Sequence, residues 1–486
     1  MPILFTILAA LEPSTSFNHI VQFLLLDMVI TTLVVVTCAT LLATIIGVGL
    51  AWLVTAYSFS GRGFFSWLLA LPLALPAYVS AYAWGDLLDV RGAGIAILVY
   101  TTTLYPYIYL AARGAFEAQS VCALEAGRML GASPWRRFGA IALPMARPAI
   151  AAGAALAALE MTSDFGAADH LGVQTLTTGI FKAWFSMGDL AAAARLSVIL
   201  LVGVLILVWV ERHLRVGSIA GGSTRWRTPT RFTLNKGANA AAFSGVTSVC
   251  VIALFVPIGH LLVLAIRQGM PQRDLTGSML ATALLCALGA IFTLIIAALA
   301  AFVARQNRRS RDLVHVSALA GYATPGAVTA LGILAALSFA GDGAAAVLVG
   351  PIAIVGLCYA YCARFTAAGL EPMSAGLDTS TRSMREAATT LGSRPFSRFL
   401  RLEAPLAAPA TFAAALVVAV EIAKELPATT ILRPFGLDTL AVRAHAYAAD
   451  ERLGAAAWPA LMIVILALVP TLIFSHSLSN SRAGQA

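Results

Sequence analysis

The sequence predicts an all-α integral membrane protein of about 12 transmembrane helices, arranged as two parallel six-helix repeats. Three observations carry this. Of the 486 residues, 59% are hydrophobic and only 11% are charged. Soluble chains carry about 25% charged residues, so this one cannot clothe a water-facing surface of its size. Apolar stretches of the roughly 20 residues a span needs recur along the whole chain. Runs such as 30–54 and 279–303 are continuously apolar, not the alternating segments of about 10 residues that build a membrane barrel. The third observation is internal repetition, developed below.

The first apolar stretch, residues 3–11, ends at Glu12 and Pro13. It is too short to cross a bilayer and lacks the basic flank of a cleaved leader, so the first helix reads as truncated or the biological start lies upstream. Spans follow near 28–57, 63–88, 92–113, 145–165 and 190–211. A second series runs near 246–267, 278–304, 313–339, 344–363, 406–426 and 457–475. Between the series, residues 211–241 are polar, basic and rich in Gly, Ser and Thr, which is linker composition. The domains expected are 1–215 and 242–486, joined by a cytoplasmic linker over 216–241.

With a cytoplasmic N-terminus, 23 of the 32 Lys and Arg residues fall in inner connections, Arg364 among them, and nine outside. That bias orients both termini to the cytoplasm and accounts for the formal charge of +9 without a nucleic-acid partner. The six cysteines lie mostly inside apolar runs without a CxxC pair and read as small core residues.

Arg62 and Pro76 recur 249 residues later as Arg311 and Pro325. From the large loops onward the offset is 261: Glu125 falls on Glu386, Gly131 on Gly392, Pro134 on Pro395, Pro144 on Pro405, Glu160 on Glu421 and Asp164 on Glu425. An even number of spans per half keeps both copies in one orientation. The loops themselves, Leu124–Pro144 and Arg385–Pro405, each read as a short helix through a Glu-Ala segment, a Gly that stops it, and a second helix opened by an early Pro. Ser133 is the expected cap of that second helix. Such a knob suits a groove on a cytoplasmic partner, the alternative being an amphipathic loop lying on the bilayer.

These loops resemble the signature of binding-protein-dependent ABC importer permeases: EAA, three residues, G, nine residues, I-x-L-P. The first copy has Glu125-Ala126-Gly127, Gly131 and Ile141 to Pro144; the second has Glu386-Ala387-Ala388, Gly392 and Leu402 to Pro405. Departures are Gly127 in the first copy and Leu402 and Ala404 in the second. Residues 158–197, 424–456 and 71–84 are similar to the corresponding stretches of fused, two-domain ferric-iron permeases. The resemblance implies an inner-membrane permease that passes iron(III) from a periplasmic binding protein, with two copies of an ABC ATPase subunit on the knobs. Thiamine, polyamine and phosphonate permeases share the loop signature. The chain has no GxxxxGK[ST] phosphate loop, and its three lysines, Lys182, Lys236 and Lys424, follow no Gly-rich turn. No catalytic residue or bound cofactor is expected; ATP and Mg belong to the partner ATPase.

A carboxylate in a span is costly unless it faces water, a counter-charge or a pathway. Glu160 with Asp164, and Glu421 with Glu425, are four apart and share a helix face. Hard oxygen donors there suit a hard cation in transit. The alternative is structural pairing, for instance of Glu421 or Glu425 with Lys424 or Arg433. No histidine spacing marks a metal site, and Tyr78, Tyr82, Tyr105, Tyr107 and Tyr109 read as packing and interface residues. Two other classes compete: a secondary transporter of two parallel halves, which has no need of matched knobs, and a membrane scaffold, which has no need of repeated buried acids.

Overall fold

Proline positions decide how the helices break. Leu75 and Thr324 precede Pro76 and Pro325, are held out of the helical region by the following ring, and adopt ψ of 106° and 122°. Each proline then caps a new helix with nearly the same backbone, φ −57° and ψ 144° against φ −56° and ψ 142°. The stretches expected as single spans are therefore bent pairs: Arg62–Ala74 with Ala77–Leu88 at 91°, and Arg308–Ala323 with Gly326–Leu337 at 98°.

The computed structural model describes residues 2–118, 127, 129–215, 231–269, 275–339 and 351–480. Glu125, Ala126, most of the expected linker and the first part of the stretch near 344–363 lie outside them. Among the described residues seven helices are long and apolar enough to cross a membrane, and three bent pairs bring this to 10. The shorter apolar helices Pro2–Leu11 and Leu453–Leu468 take the first and last places in the expected order. Extended pairing among the described residues is confined to Tyr57–Ser58 beside Phe232–Thr233. The protein is an all-α, multi-pass membrane protein.

The chain divides into two compact units that interleave the halves. One comprises Val21–Thr178, Val202–Arg267 and Ser475–Ala486. Its centre is Leu25–Ala56 against Ala93–Ala118, which in turn packs on Leu143–Ser163. Backbones meet where side chains vanish: a Cβ on Gly47 would sit 3.0 Å from Tyr105 O, and one on Gly153 2.9 Å from Ile108 Cα. Tyr82, Tyr100, Tyr105 and Tyr109 are fully buried here.

The other unit comprises Met1–Ile20, Gly179–Leu201 and Gln268–Phe474. Leu275–Ala304 packs on Pro351–Leu377 and Ala408–Lys424, with Gly289 admitting Tyr361 and Ile422. Pro2–Leu11 lies on Gly326–Leu337, and Thr6 Oγ1 donates to Val328 O at 3.2 Å. Arg364, expected in a cytoplasmic connection, instead sits within Pro351–Leu377 and is buried. A partner carboxylate makes that depth tolerable, as shown below. In both units, large apolar side chains such as Leu26, Leu33 and Ile45, or Leu280, Ile291 and Ile295, point away from the protein, as lipid-facing surface requires.

Candidate functional site

Two pairs of repeated features stand out: the knobs and the acidic ends of the helices that follow them. In the second knob the helix Arg382–Thr390 is capped by Thr381, whose hydroxyl accepts from Met384 N. It ends at Leu391, and Gly392 turns the chain with φ 82°. Pro395 opens the next turn, which widens into a π-helix over Phe399–Glu403. Pro405 explains the widening: without an N–H it cannot close the usual bond four residues back, and the loop closes instead from Ala404 N to Phe399 O.

The first knob repeats the glycine turn, the opening proline and the π-helix. Gly131 has φ 75°, Ser133 accepts from Arg136 N as expected, Pro134 opens the helix, and a π-helix spans Phe138–Ala142 ahead of Pro144. Glu125 and Ala126 lie outside the described residues, while Glu386 and Ala387 are exposed on the second knob. Leu391, Met129, Leu130 and Trp135 are all more than four-fifths exposed, so both knobs present apolar tips. Each is anchored from beneath by aromatic packing: Trp52 against Phe138 at 5.2 Å, and Phe302 against Phe399 at 5.3 Å. Gly127 packs against Ile141: an alanine Cβ would lie 2.7 Å from Ile141 Cδ1, so the end of that side chain would have to turn aside. By the 261 offset, Ala388 and Leu402 occupy that pair of positions in the second copy, so two signature departures fall on one contact.

The acids follow the same symmetry but differ in chemistry. Asp164 ends Leu143–Ser163 with ψ 129° and accepts from Ala167 N at 2.8 Å, capping the short helix Gly166–His170. Tyr100 OH donates to the same oxygen at 3.1 Å. Glu425 ends Ala408–Lys424 with ψ 119° and caps Pro427–Leu432 with both oxygens, taking Ala428 N and Thr429 N at 2.9 Å. Thr429 Oγ1 adds a bond of 2.7 Å, and Tyr361, the repeat partner of Tyr100, bonds that hydroxyl.

The decisive difference is a cation. Arg364 Nη1 lies 3.1 Å from Glu425 Oε1, and the Glu425 side chain is wholly buried. The position equivalent to Arg364 is Thr103, which bonds Val99 O. Among the described residues no cation pairs with Asp164. Position 77 is Ala in the first half and its partner is Gly326, where a Cβ would lie 2.6 Å from Glu425 Oε1 and 2.8 Å from Arg364 Nη1. Four positions thus change together, Ala77, Thr103, Asp164 and Ala168 against Gly326, Arg364, Glu425 and Thr429.

Glu421 is held by Lys424 at 2.7 Å, the pairing considered from sequence, while Arg433 pairs with Asp438 and not with a helix acid. Glu160 is half-buried and lies close enough to Asp164 for their charges to interact. Sequence reasoning missed Arg364, Tyr100 and Tyr361. The 261 offset that aligned the acids aligns the two tyrosines as well, so that signal was present. Among the described residues no group of three or more His, Cys, Asp or Glu could hold a metal ion.

A duplicated frame of bent spans, matched knobs and acid-capped breaks defines a transport permease. Residues 3–216 and 294–480 match the model of the binding-protein-dependent transport system inner membrane component, and the chain belongs to that family. It is 26% identical to the Fe(3+)-transport system permease protein FbpB 2 of Haemophilus influenzae, over 97% of this chain and 94% of that one. The sulfate transport system permease protein CysT of Escherichia coli is 30% identical over 34% of this chain and 67% of its own. The molybdenum transport system permease protein ModB of Escherichia coli is 29% identical over 38% of this chain and 92% of its own.

Proposed function

We propose that the chain is the translocating subunit of an ATP-driven importer for iron(III). A periplasmic binding protein delivers the ion, and two copies of a separate ABC ATPase subunit, using ATP and Mg, engage the two knobs from the cytoplasm, where both termini lie. The observation that carries the substrate is the end-to-end likeness to the Fe(3+) permease. The sulfate and molybdenum permeases cover little more than a third of the chain.

The chemistry of the helix breaks supports a cation over an oxyanion. Free amides at a helix start favour anions. Here Asp164 and Glu425 already occupy those amides, so an oxyanion would meet carboxylates. Iron(III) is a hard cation that prefers oxygen donors. Glu160, Asp164 and Glu421 are the path acids of this reading. Glu425 has both oxygens committed to amides, a hydroxyl and Arg364, which makes it the anchor of its helix break. Spaced acids in place of a closed cage let the ion leave again.

Proteoliposomes carrying the chain and its ATPase test this. With the cognate binding protein outside and ATP inside, uptake of radioactive iron(III) is expected, with no uptake of molybdate or sulfate. Uptake of either oxyanion without iron(III) would remove the substrate assignment and leave the importer architecture standing.

A further inference from the structure

The root of the second knob holds a cavity of about 730 Å³. That lies within the range of roughly 300–1,000 Å³ seen for small-ligand sites. Arg305, Arg308 and Arg311 reach it from the connection between two spans, and Arg385 and Arg398 from the knob. Three carboxylates, Asp312, Asp378 and Glu403, also line it, leaving an excess of two positive charges.

The arginines fall into two groups. Glu403, nearly fully buried, takes Arg305 Nε at 2.8 Å and Arg398 Nε at 3.2 Å, and Asp378 takes Arg305 Nη1 at 3.2 Å. Arg385 donates to Ser380 O at 2.7 Å. These contacts build the wall. Arg308 and Arg311 are exposed, three residues apart on one helix face, and no ion pair engages either among the described residues.

The corresponding place in the first half is lined differently. Phe59 stands where Arg308 does and Ala142 where Glu403 does, both buried. Arg137, the partner of Arg398, lays its guanidinium 4.6 Å from the centre of the Phe232 ring, and Phe65 packs against both Phe59 and Phe243. Aromatic side chains thus stand in the first root at Phe59 and against Arg137, where the second has Arg308 and the Arg398–Glu403 pair.

We propose that this cavity binds a phosphate group, carried by an anionic phospholipid headgroup or by free phosphate. Guanidinium forks match tetrahedral phosphate oxygens in pairs, and the wall carboxylates leave Arg308 and Arg311 to receive them. The cavity opens at the knob end of the spans, where headgroups lie, and basic pockets between spans are suited to them. A phosphate there joins the span connection to the knob. The inference stands whatever ion the permease carries.

The test uses the full chain, purified with neutral detergent and stripped of anionic lipid. Inorganic phosphate is titrated in one arm, and phosphatidylglycerol is titrated in phosphatidylcholine nanodiscs in the other. R308Q/R311Q is expected to weaken binding by about tenfold or more. A charge-matched control, R309Q/R401Q, which removes arginines that do not line the cavity, is expected to leave it unchanged. Phosphate binding in detergent assigns a soluble ligand, and phosphatidylglycerol binding without it assigns the headgroup. R308K/R311K, which keeps charge and loses the fork, is expected to fall between, and it decides the matter should the Gln pair melt early. Absence of binding to either probe, or equal loss in the control pair, overturns the proposal.

Discussion

The two helix breaks turn the backbone alike, with ψ of 129° at Asp164 and 119° at Glu425, and differ in the side chains around the acid. Around Glu425, Arg364 supplies a counter-charge and Gly326 the room for it; around Asp164, Thr103 and Ala77 supply neither. The backbone frame, set by prolines and by a carboxylate on the amides of the next helix, tolerates either chemistry. Duplication therefore left one break as a locked ion pair and the other as an acid held only by hydrogen bonds. The knob roots repeat the lesson, with a guanidinium laid on an aromatic ring in one half and an arginine-lined cavity in the other.

The largest effect should follow from breaking the lock. Glu425→Gln removes the carboxylate that faces the buried Arg364 guanidinium, and breaking a buried pair costs about 3–5 kcal/mol. Its melting temperature in detergent should fall well below that of the parent protein, and Glu425→Gln with Arg364→Met should recover part of the loss. An unshifted melting curve for the single variant would remove the lock.

Gly326→Ala should be next, since the new methyl meets both members of the pair and overpacking costs about 1–3 kcal/mol. Its counterpart Ala77→Gly should cost no more than about 1 kcal/mol, the helix-propensity difference. Equal losses at the two positions would show that the halves do not differ as described. Valine at Gly131 or Gly392 requires a β-branched residue at positive φ, a strain of about 1–3 kcal/mol confined to the turn. Binding-protein-stimulated ATP hydrolysis should drop in either variant while membrane insertion persists, and full stimulation in the double variant would deny the knobs their coupling role. The smallest effect is expected for Phe232→Ala, which removes a cation–π contact worth about 0.5–1 kcal/mol. Amide exchange over residues 134–142 should quicken modestly, with no change over 395–403.

Much of this architecture was legible in the sequence because membranes simplify the code. Apolar run length gave the spans, and rare residues in a Leu/Ala background gave the repeat, down to Gly131 and Gly392 at positive φ. The bends at Pro76 and Pro325 were not read, since a proline within an apolar run is compatible with a kinked span as well as a broken one. The role of Arg364 was hidden for a related reason. A cation near the end of an apolar run looks like a loop residue until its partner, 61 positions away, is brought beside it. The interleaving of the halves in the two units depends on packing between distant segments, on which hydropathy is silent.

Asp164→Asn and Glu425→Gln, compared in one iron(III) uptake assay with melting curves taken on the same preparations, test the central claim most directly. Asn keeps an oxygen to accept from Ala167 N and Tyr100 OH, so Asp164→Asn should assemble and melt as the parent does while uptake falls about tenfold or more. Glu425→Gln should lose stability, and any loss of uptake should track the loss of folded complex. Normal uptake in Asp164→Asn, or a stable Glu425→Gln protein that no longer carries iron(III), would contradict the division of one acid for passage and one for structure.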